Sequence, residues 1–284
     1  MDPNNDIQII IDSTTNIREE YRNLVLSVPL TVTFGEKEYL DDVNLSLNEF
    51  YEKLENENIL PTTSQPSPAA FEKIYEEVRN QGKAAIVITL SAKLSGTYQS
   101  ACIAAQSYPE VTVIDSGNVT IGAGILIEHA IQCVQKGMSK DKLVEELIKK
   151  REDICIIALL DTLEYLMKGG RISKASAIAG TALNIKPVIT VKDGVISVLG
   201  KARGSHKANN LLVEHVKKMG VDYDAPVLLG YSGTSRELLD NYINDNTELW
   251  TDRLERLNTT QICSVIGTHA GPGAIAVAFF KNNT

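Results

Sequence analysis

Ala85-Ile-Val-Ile-Thr-Leu-Ser-Ala-Lys-Leu-Ser-Gly-Thr-Tyr98 carries the reading of the fold. Its first six residues are an apolar, β-branched run, the pattern of a strand covered on both faces. The chain then turns through small polar residues into a helix expected over residues 95–107. Ile7–Asp12, Val111–Asp115 and Ile154–Leu160 are runs of the same kind. Helical patterns over 119–137 and 139–151 separate them. Ser46-Leu-Asn-Glu49 is a capping box opening a helix through Asn56, and Ser67-Pro68 is an N-cap with proline at N1. Strands alternating with helices of this length imply βαβ units and a parallel sheet.

The pattern changes after about residue 184. Val188–Lys192, then Asp193-Gly194, then Val195–Val198 predicts a hairpin, because Asp-Gly suits the positive φ angles of a type I′ turn. A helix over 205–219, a strand over 226–231, a helix capped by Thr234, and strands over 261–267 and 274–280 complete the chain. The expected fold class is therefore α/β in two domains: a mostly parallel N-terminal α/β sheet (1–165) and a mixed C-terminal α/β domain (166–284).

Composition narrows the function. The 284 residues are 43% hydrophobic and 23% charged, as in a globular protein rather than a disordered one. Twenty-eight Lys+Arg against 36 Asp+Glu give a net charge of −8, which disfavours a nucleic-acid-binding surface. The longest apolar runs, Ile154–Leu160 and Ala274–Phe280, fall well short of the ~18 residues of a membrane span. Met1–Asp6 is polar and acidic, unlike a secretory leader, so a cytoplasmic location is expected. The four cysteines lie far apart without metal-ligand spacing and read as reduced thiols, with no metal site.

Several segments offer polar groups where a ligand could use them. Asp12-Ser-Thr14 follows the first strand, at the sheet edge where such folds bind ligands, although an Asx or ST turn that starts the next helix is the readier account. In Pro61–Pro68, three prolines hold hydroxyls and an amide in an extended segment; capping explains Ser67 and Pro68 but not Thr63, Ser64 or Gln65. Ser95, Gly96 and Thr97 stand at a helix N-terminus, where free N–H groups favour an anion and glycine permits close approach; an ordinary N-cap would look the same. Lys168-Gly-Gly-Arg-Ile-Ser-Lys174 and Gly200-Lys-Ala-Arg-Gly204 are basic glycine turns, neither of them a phosphate loop. His269 lies in Gly267-Thr-His-Ala-Gly-Pro-Gly273, read as a loop that can aim its ring. The apolar helix Ile121–Val134 is either tunnel wall or plain core. Ser95, Asp115 and His269 occur in α/β-hydrolase order, but Lys93 and Thr97 replace the glycines of G-x-S-x-G.

Taken together, Asp12–Thr14, Thr63–Pro66, Leu94–Thr97, Val113–Ser116, Lys168–Ser173, Lys201–Gly204 and Thr268–Gly273 resemble the DegV family. These are bacterial fatty-acid-binding proteins that include the FakB subunit of fatty acid kinase. The matches fall in the family's order and span nearly the whole chain. The resemblance implies a two-domain α/β fold with a buried long-chain fatty acid as ligand and no other cofactor. It implies that Thr63 (or its neighbour Thr62) and Ser95 hydrogen-bond the carboxylate, with His269 close by and Arg171 next. The N–H groups near Gly96 are donors of the right kind for the same carboxylate. It further implies that the loaded protein presents the carboxyl group to a separate ATP-using kinase subunit for phospholipid synthesis, without turnover alone. Arg203 and its neighbours would dock that subunit. Transient membrane contact is compatible with this reading; a membrane span is not. The rival readings are a serine esterase or thioesterase, and a binding module for another small anionic metabolite.

Overall fold

The computed structural model describes residues 6–57, 59–173, 185–250, 254 and 257–282; Met1–Asn5 and Lys174 of the basic glycine turn lie outside them. In chain order the elements begin with β1 (Ile7–Asp12), α1 (Glu19–Arg22), β2 (Val25–Val28), β3 (Thr31–Phe34), β4 (Lys37–Leu40) and α2 (Leu47–Asn56). There follow β5 (Thr62–Ser64), α3 (Pro68–Asn80), β6 (Ala84–Thr89), α4 (Thr97–Ala105), β7 (Val111–Asp115), α5 (Thr120–Gln135) and α6 (Lys140–Lys150). Then come β8 (Ile154–Leu159), α7 (Glu164–Lys168), β9 (Ile185–Lys192), β10 (Val195–Arg203) and α8 (Ser205–Met219). The chain closes with β11 (Leu228–Tyr231), α9 (Glu237–Asp245), α10 (Thr247–Trp250), β12 (Asn258–Gln261), α11 (Ser264–Ala270) and β13 (Ile275–Phe280).

Strands β2-β1-β6-β7 form a parallel sheet, in that order. Period-two alternation sends Ile9, Ile11, Ile86 and Ile88 to one face and Ile10, Ala85 and Val87 to the other. Helices α3 and α4 cover the second face with Phe71, Tyr75, Ala101 and Ala104. Helix α5 covers the first, and its own far side meets β8, β11 and β13 of a second sheet. Enclosed between two sheets, its Ile121–Ile127 stretch is apolar all round, as a stretch with no solvent face should be. It is mainly core; of this helix only Thr120 lines the cavity described below.

The second sheet has six strands in the order β10-β9-β8-β13-β11-β12, antiparallel except for the β11–β12 pair. Its outer face packs on α8 through Ala208, Leu212 and Val216. Asp193 (φ 52°) and Gly194 (φ 76°) make the expected positive-φ hairpin turn. A third sheet, β4-β3-β5, is small and antiparallel and packs against Phe50, Tyr51 and Leu54 of α2.

The mixed α/β architecture matches expectation, and four local readings change. Ile154–Leu160, expected in the parallel sheet, is β8 and pairs antiparallel with β13 and β9. A buried apolar run fits the middle of either kind of sheet, so its composition could not choose. Residues 261–267 are not one strand: β12 ends at Gln261 and α11 begins at Ser264. His269 consequently sits in the last turn of α11, not in a loop. Thr234 does not cap α9; its N–H and hydroxyl bond the Glu55 carboxylate. Among the described residues, no helix is long and apolar enough to cross a membrane.

Candidate functional site

A cavity of about 370 Å³ lies over the inner face of the six-stranded sheet, beneath α11 and beside the loop that follows β6. Each predicted side chain reaches it on a different element. Thr63 comes from β5, pinned opposite Val32 of β3, so sheet pairing supplies the rigidity expected from the prolines. Ser95 and Gly96 come from the loop before α4, Arg171 from the turn after α7, and His269 from α11. These five residues converge on one cavity. Thr62, the neighbour of Thr63 on the strand, is exposed and does not line the cavity. Arg203 ends the edge strand β10, exposed and outside the cavity.

His269 is buried, with Nε2 3.0 Å from the Thr63 hydroxyl. Its Nδ1 has no hydrogen-bond partner among the described residues, and of the buried polar atoms in that condition it alone belongs to a residue lining this cavity. Gly169 packs against this nitrogen so closely that a Cβ there would stand 2.2 Å from it. Burial, reinforced by the positive charge of Arg171, holds the imidazole down to about 4, so it is neutral at pH 7. Arg171 donates to the carbonyls of Leu94 (3.3 Å) and Gly169 (2.6 Å), and among the described residues no carboxylate neutralises its charge at the site.

The Ser95 hydroxyl lies 2.9 Å from that of Thr97 and accepts from the Thr97 N–H at 3.3 Å. When Thr97 donates, the Ser95 hydrogen is free for a ligand. Helix α4 begins beside it with Gly96 as N-cap and no side-chain cap. Gln65, which capping left unexplained, also lines the cavity: its amide donates to Ser100, and a Cβ on Gly96 would lie 2.0 Å from its oxygen. Gly96 thus lets the Gln65 amide lie directly against the start of α4.

Away from this polar end the walls are apolar. Three wall hydroxyls are already engaged: Thr120 donates to Asn16, Thr190 to the Ile156 carbonyl, and Ser232 to the Gly271 carbonyl. Asp12 is structural, accepting from the Thr14 and Leu90 N–H groups and the Thr14 hydroxyl; burial raises its pKa. Asp115 accepts from the N–H groups of Ala92 and Gly117, and His269 Nε2 faces Thr63, so Ser95, Asp115 and His269 do not form a relay. Among the described residues no group of His, Cys, Asp or Glu side chains is arranged to hold a metal ion.

The family model "Uncharacterised protein, DegV family" matches residues 6–282. The chain belongs to the DegV family. A DegV domain-containing protein of Caldanaerobacter subterraneus subsp. tengcongensis is 36% identical to it over 279 residues, 96% of this chain and 98% of the relative. Two solved DegV structures superpose closely on it. A DegV family protein from Thermus thermophilus, reported for its fatty acid binding, is 30% identical, with a TM-score of 0.86 over 98% of this chain and 100% of the other. A fatty acid binding DegV family protein from Streptococcus agalactiae is 28% identical, with a TM-score of 0.85 over 98% and 99%.

Proposed function

We propose that this DegV protein binds a long-chain fatty acid in the cavity and presents its carboxyl group to a separate ATP-dependent kinase subunit for acyl-phosphate formation, with no turnover alone. One observation carries the binding half: a cavity with largely apolar walls, where Thr120, Thr190 and Ser232 already donate elsewhere, ends in a cluster of polar donors. Neutral His269 donates from Nε2 to Thr63, which leaves the threonine hydrogen for a carboxylate oxygen. Ser95, the N–H groups at the start of α4 and the charge of Arg171 complete the set. The fatty-acid binding reported for the two similar structures supports this reading. The kinase half rests on the family resemblance, with exposed Arg203 as the proposed contact.

Magnitudes are consistent with it. Burying about fourteen methylenes contributes at most ~11 kcal/mol, at ~0.8 kcal/mol each. Association and chain ordering take back ~4–15 kcal/mol, so tight binding needs a preformed cavity. A buried carboxylate costs several kcal/mol unless donors replace its water.

Mass spectrometry of the purified protein, native and then denatured, tests the binding. A stoichiometric long-chain acid is expected; absence of lipid even after incubation with fatty acids overturns the proposal. Ser95→Ala should weaken acid retention by roughly 1–3 kcal/mol, through loss of a donor to a buried acceptor. Unchanged affinity would remove Ser95 from the site. The kinase step is tested by adding the cognate kinase subunit and ATP, with loss of acyl-phosphate formation expected for Arg203→Ala at unchanged acid binding.

A further inference from the structure

Resting on the fatty-acid reading, we propose that Ile262, lying across Gly230, is the end wall of the cavity and sets the length of acyl chain it accepts. Four residues stand side by side across the inner face of the six-stranded sheet. Ile189 on β9 is the register partner of Ala158 on β8, Ala158 of Ala276 on β13, and Ala276 of Gly230 on β11. All four line the cavity. Neighbouring strands are ~4.8 Å apart, so the row crosses roughly 14 Å of sheet. Side-chain size falls along it from isoleucine through two alanines to glycine, which opens a groove running across the strands.

The groove stops at Gly230. A Cβ on Gly230 would stand 2.5 Å from Cδ1 of Ile262 and 3.5 Å from Cδ1 of Ile121. The Ile262 side chain therefore fills the space that a side chain on Gly230 would take. It is firmly mounted: its N–H donates to the Tyr231 carbonyl at 2.8 Å, and its carbonyl accepts from the buried Tyr51 hydroxyl at 2.9 Å. It is also remote from the polar cluster. Ile262 precedes Cys263, the N-cap of α11, and His269 occupies the last turn of that helix. A carboxylate held at His269 directs its methyl end toward a wall of this kind, and a wall at fixed distance discriminates by length.

The test offers the purified protein an equimolar mixture of myristic, palmitic, stearic and arachidic acids and identifies the bound acid by native mass spectrometry. Ile262→Ala removes three carbons from the wall and should move the preferred acid about two carbons longer. Gly230→Ala should push Ile262 Cδ1 into the groove and move the preference the other way. Ile262→Val, a smaller deletion, should shift it in the same direction as Ile262→Ala by less, and serves if the alanine variant does not fold. Wild-type distributions from folded Ile262→Val and Gly230→Ala would overturn the end wall while leaving fatty-acid binding intact. A wild-type protein that takes up none of the four acids would overturn the fatty-acid reading itself.

Discussion

Burial holds His269 down to about 4 from an ordinary 6.5, with Arg171 adding to the effect, while burial pushes Asp41 up from 3.8 to about 6 against its hydrogen bonds to Ser264 and Ser13. The consequences for stability have opposite signs. The folded protein resists protonating His269, so the stability present above pH 6.5 is lost as pH falls through about 4. It favours protonating Asp41, so the stability present below pH 3.8 is lost as pH rises through about 6. Each corresponds to roughly 3 kcal/mol, and over this window they largely cancel. His269→Gln should therefore make the protein gain stability, relative to wild type, as pH falls from 6.5 to 4, and Asp41→Asn should make it lose stability over the same range. Urea unfolding at a series of pH values measures both. Variant curves parallel to wild type would show that neither group titrates this way.

At the scale of elements, α11 is the part that must sit correctly, because His269 rides on its last turn. Two glycines allow its neighbours to approach. A Cβ on Gly267 would meet Phe50 and Tyr51 of α2 at 2.7 Å, and one on Gly169, after α7, would meet the His269 ring. Gly267→Ala should cost about 1–3 kcal/mol by overpacking, less up to ~1 kcal/mol regained in helix propensity. Gly169→Ala should act differently. Its backbone lies at φ −73°, which any residue accepts, so the added methyl displaces the imidazole rather than straining the turn. Fatty-acid retention should fall by about tenfold or more while the melting temperature changes little. A larger thermal effect than binding effect would mean that the ring stays put and the turn gives way.

Across the whole molecule, the cavity exists only because three sheets are held in register, and Asn16 is a main fastener. Its Oδ1 accepts from the Cys263 N–H and the Thr120 hydroxyl, and its Nδ2 donates to the Gln261 carbonyl. One side chain after β1 thus ties α5 to the start of α11. Ser91 makes a second link, donating to the Gly194 carbonyl at the tip of the β9–β10 hairpin. Asn16→Ala leaves buried groups without partners and should destabilise the protein by about 2–4 kcal/mol. It should also weaken acid binding, because the cavity walls belong to the elements it joins. A calorimetric melt with and without fatty acid checks both, and a variant that melts like wild type would show that packing alone aligns the sheets.

The sequence determined many of the elements, though not all of them. β-branched runs, the Asp-Gly turn, and the caps at Ser46 and Ser67 are set by neighbouring residues, and the side chains of both caps accept the expected N–H groups. It also held the candidate site's motifs, because Thr63, Ser95, Gly96, Arg171 and His269 each stand in one of the short segments that carry the family resemblance. Tertiary structure decided how the pieces were shared out. Ile154–Leu159 reads the same in either sheet, and only pairing with Phe280–Ile275 assigns it. Gly-Thr-His-Ala-Gly-Pro-Gly reads as a loop because glycine and proline break helices; packing against α2 and α7 carries the helix through to Ala270. The groove from Ile189 to Gly230 joins residues up to 118 positions apart, through strand register that no local pattern encodes. Contacts between distant segments depend on the burial of faces rather than on neighbours in the chain, so the chemistry of the site was legible while its shape was not.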